Sequence, residues 1–266
     1  MAWLDCVASA TRLRLTWLAE ASLSLDQTSD HVLKRRLQFV HIGKCGGSTV
    51  EKLLFHSPVI NKKYLSFFES HINGVIADSS CDYLFCVRNP VDRAFSAFEW
   101  RKKLVVVDSL PDQLRRFPGE RKVLSKYKSL GTMARSLYQT DGRLDQVVAR
   151  DFHTIHHLRE SISFYCHPLL AVLTPTNILG VVCQETLAAD CTRILGVEVA
   201  EVRERSNESK RCIDQDLDDV AVKNLKRFLV EDYQCLAALW SLGALSDQRF
   251  WRVMTSSVES EASRAI

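Results

Sequence analysis

Two short segments of this 266-residue chain combine basic, hydroxyl and glycine residues in patterns that suit the binding of an anion. The first is FVHIGKCGGST, residues 39–49, and the second is YLFCVRNPVDRAFSAF, residues 83–98. Each pattern predicts a buried strand, then a turn, then a helix, and the free backbone N–H groups of a helix start attract anions. Two such turns, one strand–helix unit apart, predict a ligand with two separated phosphate-like groups.

The first segment carries the elements of a phosphate loop. Gly46 and Gly47 allow the backbone to approach an oxyanion closely, Lys44 supplies a positive charge, and Ser48 and Thr49 supply hydroxyl donors. Because the lysine precedes the glycines, the segment differs from the GxxxxGK[ST] loop of ATP- and GTP-binding proteins. Ser and Thr also cap helices that bind nothing, so this loop alone does not establish a ligand.

The second segment pairs an arginine with a serine. Arg88 follows a strand and Ser96 lies about two turns into the next helix. A guanidinium can hold a phosphate through two parallel hydrogen bonds, and a hydroxyl can add a third. Asp92 and Arg93 are interpreted as structural, because an acid suits the first turn of a helix and Arg93 can pair with an acid.

Together the two segments resemble the nucleotide-binding motifs of sulfotransferases that use 3′-phosphoadenosine 5′-phosphosulfate (PAPS). The usual 5′-phosphosulfate loop of that family reads Pro-Lys-Thr-Gly-Gly-Thr-Ser, and Gly43 and Cys45 replace its Pro and Thr here. The second segment matches the family's 3′-phosphate motif, Arg-Asn-Pro-x-Asp-Arg-x-x-Ser, at every fixed position. The resemblance extends more weakly over residues 39–242, and is closest to soluble bacterial members of the carbohydrate-sulfotransferase type.

The resemblance implies a role for each motif residue. Lys44 would contact the 5′-phosphate and the leaving oxygen, and Arg88 and Ser96 would hold the 3′-phosphate. The remaining 5′-phosphate contacts would come from Cys45 through its backbone N–H, and from Gly46, Gly47, Ser48 and Thr49. Lys210 and Arg211, in a late polar loop, could also reach the 3′-phosphate, although a solvated charged loop explains them equally well. PAPS would be the co-substrate, and sulfuryl transfer from it needs no metal.

Such a transfer needs a base that removes the proton of the acceptor hydroxyl. The family places a His or Glu after the first helix, and the segment FFESHI offers Glu69 and His71 there. His71 is the first choice, since carbohydrate-type members have a histidine in this region, and Glu69 is the second. Glu51, on the first helix, is the third.

Other polar clusters are weaker candidates. His153, His156 and His157 have i, i+3, i+4 spacing on a predicted helix, but no nearby Cys or acid completes a metal site. A polar helix face or an acceptor contact explains them better. A group of basic residues could guide an anionic acceptor or simply face solvent: Arg101, Lys102, Lys103, Arg115, Arg116, Arg121 and Lys122.

The expected activity is therefore transfer of a sulfuryl group from PAPS to a hydroxyl, such as that of a carbohydrate or another small molecule. An ATP-dependent small-molecule kinase is one alternative, although the order of the loop residues argues against it. A nucleotide-binding protein that has lost catalysis is another. The sequence identifies neither the acceptor nor the oligomeric state.

Bulk composition agrees with such an enzyme. The net charge of +3 and the absence of a dense basic run give no support for nucleic-acid binding. Nine scattered cysteines without zinc-type spacing predict reduced thiols in a cytoplasmic protein. No apolar stretch approaches the ~20 residues of a membrane span.

The elements that must position these residues predict an α/β fold. Short apolar runs at residues 37–42, 82–87 and 177–182 indicate buried strands, and helices are expected at 48–55, 90–104, 144–165, 186–195 and 217–242. Buried strands alternating with helices predict a parallel sheet with ligands at its carboxyl edge. We expect one domain with a P-loop-like three-layer fold. It would have a helical segment at 1–36, an insertion or lid at 105–150 with two short helices, and a frayed tail at 255–266.

Overall fold

A computed structural model describes residues 35–71, 74–198 and 217–255. Several predictions fall outside these residues. They are residues 1–34 of the helical segment expected at 1–36, the polar loop that contains Lys210 and Arg211, and the tail beyond residue 255. The end of that expected segment is wrong, because Arg36 begins a strand.

Four parallel strands form the sheet, and their order is β2-β1-β3-β4. Their bounds are β1 Arg36–His41, β2 Ser66–Ser70, β3 Cys81–Val87 and β4 Ile178–Cys183. The register pairs Val40 with Ser70 and His41 with Cys86, so the carboxyl ends of β1, β2 and β3 meet at one edge. The α/β class and the parallel sheet are confirmed. Strand β2 was not predicted from the sequence; two of its five residues are exposed, two are partly buried and only Ser70 is buried.

Helices pack around this sheet. Their bounds are α1 Gly47–Leu54, α2 Pro58–Lys63, α3 Pro90–Lys102, α4 Pro111–Arg116, α5 Glu120–Lys126, α6 Leu130–Arg135, α7 Gln146–Thr154, α8 Ile162–Cys166, α9 Leu187–Leu195, α10 Asp219–Phe228, α11 Val230–Ser241 and α12 Asp247–Met254. All seven residues of β3 are buried, although their side chains alternate between the two faces of the sheet. Both faces are therefore covered, which is compatible with three layers.

The two helices that follow the predicted anion turns start in different ways. Gly46 begins α1 in the left-handed conformation, at φ 82°, and adds no side-chain cap. Asn89 caps α3 because its Oδ1 accepts the backbone N–H groups of Val91 and Asp92 at 2.9 and 3.2 Å. Pro90 then occupies the first helical position, where its missing N–H costs nothing. The first backbone N–H groups of α1 are therefore left without a side-chain cap, whereas those of α3 are capped by Asn89.

The prediction of one long helix at 144–165 is wrong. Helix α7 ends at Thr154, and α8 begins only at Ile162. Between them the chain turns at His157, whose φ is 68°, and the Glu160 carboxylate accepts the His157 N–H at 2.7 Å. Ser161 then caps α8 by accepting the Phe164 N–H. Local hydrogen bonds of the turn thus replace those of a continuous helix.

Two other helices also differ from the prediction. The helix expected at 217–242 is divided at Leu229, which leaves helical geometry and turns into the core between α10 and α11. The helix expected to end near residue 104 ends at Lys102 and continues as a π-helical turn, Lys103–Val107. Helices α2 and α12 were not predicted.

The segment 105–150 forms α4, α5, α6 and the start of α7. Its Leu130, Met133 and Leu137 are fully buried in the main core, so this segment packs as part of the body of the domain. All seven described cysteines are buried free thiols. None of the described helices combines the length and apolar character that a membrane crossing needs.

Candidate functional site

The loop between β1 and α1 exposes unused backbone donors at the carboxyl edge of the sheet. Within the described part of the chain, no acceptor meets the N–H groups of Gly46, Gly47 or Ser48. Lys44 and Gly46 both take positive φ, at 69° and 82°, and this alternation bends the loop around its N–H groups. A helix start with free donors and an adjacent lysine is suited to a phosphate group.

The three glycines of the loop are required by close packing. A methyl group on Gly47 would lie 1.9 Å from Cδ2 of His41, and one on Gly46 would lie 2.0 Å from Oε1 of Gln184. A methyl group on Gly43 would lie 2.5 Å from Nδ1 of His157. Each glycine therefore contacts a polar side chain from another part of the site.

Lys44 lies across the loop from α3. Its Nζ lies 4.5 Å from the centre of the Trp100 ring, which is a cation–π distance. Burial and, to a lesser extent, the nearby Arg88 charge together lower the pKa of Lys44 to about 8. The positive charges of Lys44 and Arg88 therefore lie near one another in the structure.

Cys45, expected to contribute only its backbone, lies beneath the loop. Its side chain is fully buried, and burial raises the pKa of its thiol to about 12. Its backbone N–H donates to the Ile42 carbonyl at 3.3 Å, so this donor is already engaged. Ser48 is exposed and Thr49 is partly exposed at the start of α1.

Arg88 and Ser96 both remain free for a ligand. In the described residues, neither the Arg88 guanidinium nor the Ser96 hydroxyl has a hydrogen-bond or ion-pair partner. Glu185 lies close to Arg88, and its Oε1 accepts the Asn89 N–H at 2.7 Å while its buried Oε2 has no hydrogen bond. Burial raises the pKa of Glu185 to about 7, and the Asn89 N–H and Arg88 oppose that rise.

One face of α3 holds the first loop. Arg93, Ser96 and Trp100 are three and four residues apart, which places them along the same side of a helix. The buried Arg93 guanidinium donates to the carbonyls of Gly43, His157 and Glu160. The structural role predicted for Arg93 agrees with these contacts, but the predicted acid partner is wrong, because its acceptors are backbone carbonyls.

The candidate bases form one cluster at the ends of β1 and β2. Nδ1 of His71 donates to the His41 carbonyl at 2.7 Å, which leaves Nε2 of a neutral His71 as an acceptor. The His71 ring also stacks on the His41 ring at 4.4 Å. Glu69 contacts Nδ1 of His41, and Glu51 faces Glu69 from α1. All three predicted bases are therefore brought together.

The histidines at 153–157 do not share a helix face, so that prediction is wrong. His153 is exposed on α7, whereas His156 and His157 are buried in the turn that follows. Nδ1 of His156 contacts Glu160 at 2.9 Å, and His157 lies 5.9 Å from the His71 ring. Burial, together with the charges of His156 and Arg93, lowers the pKa of His157 to about 2.

Two clusters have spacing that suits metal ligands. One consists of His41, Glu51 and Glu69, and the other consists of His156, His157 and Glu160. In each, the imidazole and a carboxylate already bond to one another. Arg93 donates to backbone carbonyls within the second cluster, and its charge opposes a cation there. Hydrogen bonding accounts for both clusters.

The seven basic residues that were expected to guide an anionic acceptor fall into two groups. Arg101 is buried and forms an ion pair with Glu120 at 2.6 Å, so it holds α3 to α5 and cannot attract an acceptor. The other six basic residues are exposed or partly exposed, and Arg115 pairs with Asp112.

Sequence reasoning missed two residues of this site, His41 and Trp100. His41 had a usable signal, because it ends a strand directly before the loop on the same side as Phe39. Trp100 approaches the loop from another part of the chain, and only the folded structure brings it there.

No protein-family profile, curated protein or solved structure matches this chain.

Proposed function

We propose that the protein is a sulfotransferase that moves the sulfuryl group of PAPS to an acceptor hydroxyl. The proposal includes a P-loop-like, three-layer arrangement of the fold and a reducing, cytoplasmic location, which free buried cysteines support. One observation carries it. At two adjacent strand ends, the N–H groups of Gly46, Gly47 and Ser48 and the side chains of Arg88 and Ser96 all lack partners in the described structure.

These groups suit the two phosphates of PAPS. The loop N–H groups and Lys44 would hold the 5′-phosphosulfate, and Arg88 with Ser96 would hold the 3′-phosphate. A buried or half-buried guanidinium without a partner costs free energy, and a phosphate would remove that cost by forming charge-assisted hydrogen bonds. A ligand with a single phosphate would leave one of the two groups unsatisfied.

The chemistry is an in-line displacement at sulfur. The acceptor oxygen forms a bond to sulfur while the bond from sulfur to the bridging 5′-phosphate oxygen breaks, and the acceptor proton passes to a base. Lys44 would stabilise the charge that develops on the leaving phosphate, as cations do in phosphoryl transfer.

His71 remains the preferred base. Its Nδ1 donates to a carbonyl, so the lone pair on Nε2 is available to accept the acceptor proton. Glu69 already contacts His41, so its carboxylate is less available to an acceptor hydroxyl, and this contact orients the His41–His71 stack. Glu51 would be the third choice.

Calorimetric titration with 3′-phosphoadenosine 5′-phosphate, the expected product, tests the proposal. With EDTA present, we expect micromolar binding that Arg88→Ala and Lys44→Ala each weaken by about tenfold or more. Lys62→Ala is the matched control, because Lys62 is an exposed lysine of α2 outside the loop. ATP with and without Mg²⁺ is the competing ligand.

Absence of product binding, or equal binding of ATP, would reject the two-phosphate site and favour the kinase alternative. Binding without turnover of PAPS, over a range of acceptor hydroxyls, would favour a nucleotide-binding protein without catalysis. Turnover that persists in His71→Ala and in the double variant His71→Ala/Glu69→Ala would exclude both residues as the base.

A further inference from the structure

A groove of about 500 Å³ lies between α1, α2 and β2, next to the candidate bases. Most of its lining is aromatic or aliphatic, with Phe39, Phe55, Tyr64, Leu65 and Phe67 among the walls. This volume matches that of ordinary small-molecule sites, which are mostly apolar with a few polar groups.

The mouth of the groove carries large apolar side chains that face solvent. Phe55 is 63% exposed and Leu65 is 72% exposed. Phe55 also meets Phe67 edge to face, with ring centres 5.0 Å apart. Apolar side chains that border an open groove lose water contact only when a ligand covers them, so they favour a ligand with an apolar body.

The polar groups of the groove are acids and uncharged groups. Glu51 and Glu69 line it, together with Asn61 and Ser66, and no lysine or arginine does so. Burial raises the pKa of Glu51, and the neighbouring Glu69 charge adds to the rise. Two facing carboxyl groups repel an anion and accept a hydrogen bond from a hydroxyl.

We propose that this groove binds the acceptor, and that the acceptor is an uncharged alcohol or phenol with an apolar body. Its hydroxyl points toward Glu69, which contacts the His41 ring that stacks on His71, and its body lies against Phe55, Leu65 and Phe67. This inference rests on the proposed function and narrows it. The two carboxyl groups at Glu51 and Glu69 disfavour an anionic hydroxyl donor at this end of the groove, and its apolar walls disfavour simple sugars.

The test uses the full chain and 2-naphthol, whose fluorescence reports its binding. We expect Phe55→Ser and Leu65→Ser to weaken naphthol binding about tenfold each, since each removes an apolar wall. Both side chains are largely exposed, so the variants should remain folded, which thermal melting checks. Phe164→Ser is the matched control, because Phe164 is an exposed phenylalanine on α8 outside the groove.

Titration of the same variants with 3′-phosphoadenosine 5′-phosphate separates this inference from the proposed function. Product binding that the groove variants leave unchanged, with naphthol binding that they weaken, supports both. Product binding without naphthol binding up to about 1 mM, or tighter binding of methyl galactoside, overturns the acceptor inference alone. Equal binding of naphthol to all variants, or equal binding of 2-naphthalenesulfonate, also overturns it. Failure of product binding rejects the proposed function.

Discussion

At the scale of single residues, the site is defined by two cations, Lys44 and Arg88, that have no ion-pair partner among the described residues. Lys44 and Arg88 repel one another, and burial adds to the cost of the Lys44 charge. Trp100 relieves only part of that cost, since a cation–π contact is weaker than an ion pair in the same place. Such stored electrostatic cost is common where a protein binds an anion.

Lys44 should make product binding depend on pH. Its pKa of about 8 lies below the ordinary value for lysine, so its charge is present at pH 7 and mostly lost at pH 9. Calorimetry should show an affinity for 3′-phosphoadenosine 5′-phosphate about tenfold lower at pH 9 than at pH 7. Lys44→Arg keeps its charge across this range and should flatten the profile. An equal decline in that variant would assign the effect to another group.

At the scale of elements, helices α1 and α3 are fixed to the loop by contacts from distant segments. Arg93 on α3 ties the Gly43 carbonyl to the turn at 157–160, and His41 at the end of β1 packs against Gly47 on α1. The loop geometry is therefore maintained by β1, α3 and the turn between α7 and α8 together.

Gly47→Ala tests this coupling. Helix propensity alone predicts that alanine stabilises α1 by about 1 kcal/mol. The structure predicts a net loss of stability of about 1 to 3 kcal/mol, because the new methyl group would displace His41. Urea denaturation of Gly47→Ala, His41→Ala and the double variant measures this.

The double variant should be less destabilised than the sum of the two single variants, since removal of the His41 ring frees the space that the methyl group needs. Additive effects, or a stabilised Gly47→Ala, would contradict the close packing of the His41 ring on Gly47.

At the scale of the whole molecule, helix α12 is joined to strand β4 at the edge of the sheet. Arg249 on α12 donates to the Val181 carbonyl of β4 and to Asp190 of α9, at 2.8 Å for the latter. Asp190 in turn accepts the N–H of Cys183, where β4 ends. One arginine near the end of the chain thereby joins a late helix, an edge strand and the helix that follows it.

Arg249→Leu should lower the free energy of unfolding by about 2 kcal/mol, because it removes the more buried of the two cations that pair with Asp190 and leaves only the exposed Arg193, at 3.2 Å. Arg252→Leu is the control, since Arg252 is exposed on the same helix. Thermal and urea unfolding should show a large loss for the first variant and little change for the second. Equal stability of the two variants would show that α12 is held by its apolar contacts alone.

The sequence by itself determined the elements whose cause is local. Runs of apolar residues predicted β1, β3 and β4, and Asn89-Pro90 predicted the start of α3. The glycine, lysine and hydroxyl pattern predicted the loop at residues 43–49. Each of these signals lies within a few residues of the feature that it predicts, so no knowledge of the fold is required.

The tertiary structure decided which side chains meet. Trp100, Glu185 and His157 reach the loop from three separate segments, and no local pattern encodes contacts across such distances. The tertiary structure also divided the helix predicted at 144–165. The Glu160 carboxylate accepts hydrogen bonds from His156 and His157 in the turn, and these compete with the hydrogen bonds of a continuous helix. Strand β2 forms only through pairing with β1, so its five residues show no independent signal. Long-range hydrogen bonds and packing made these choices, and propensity alone could not.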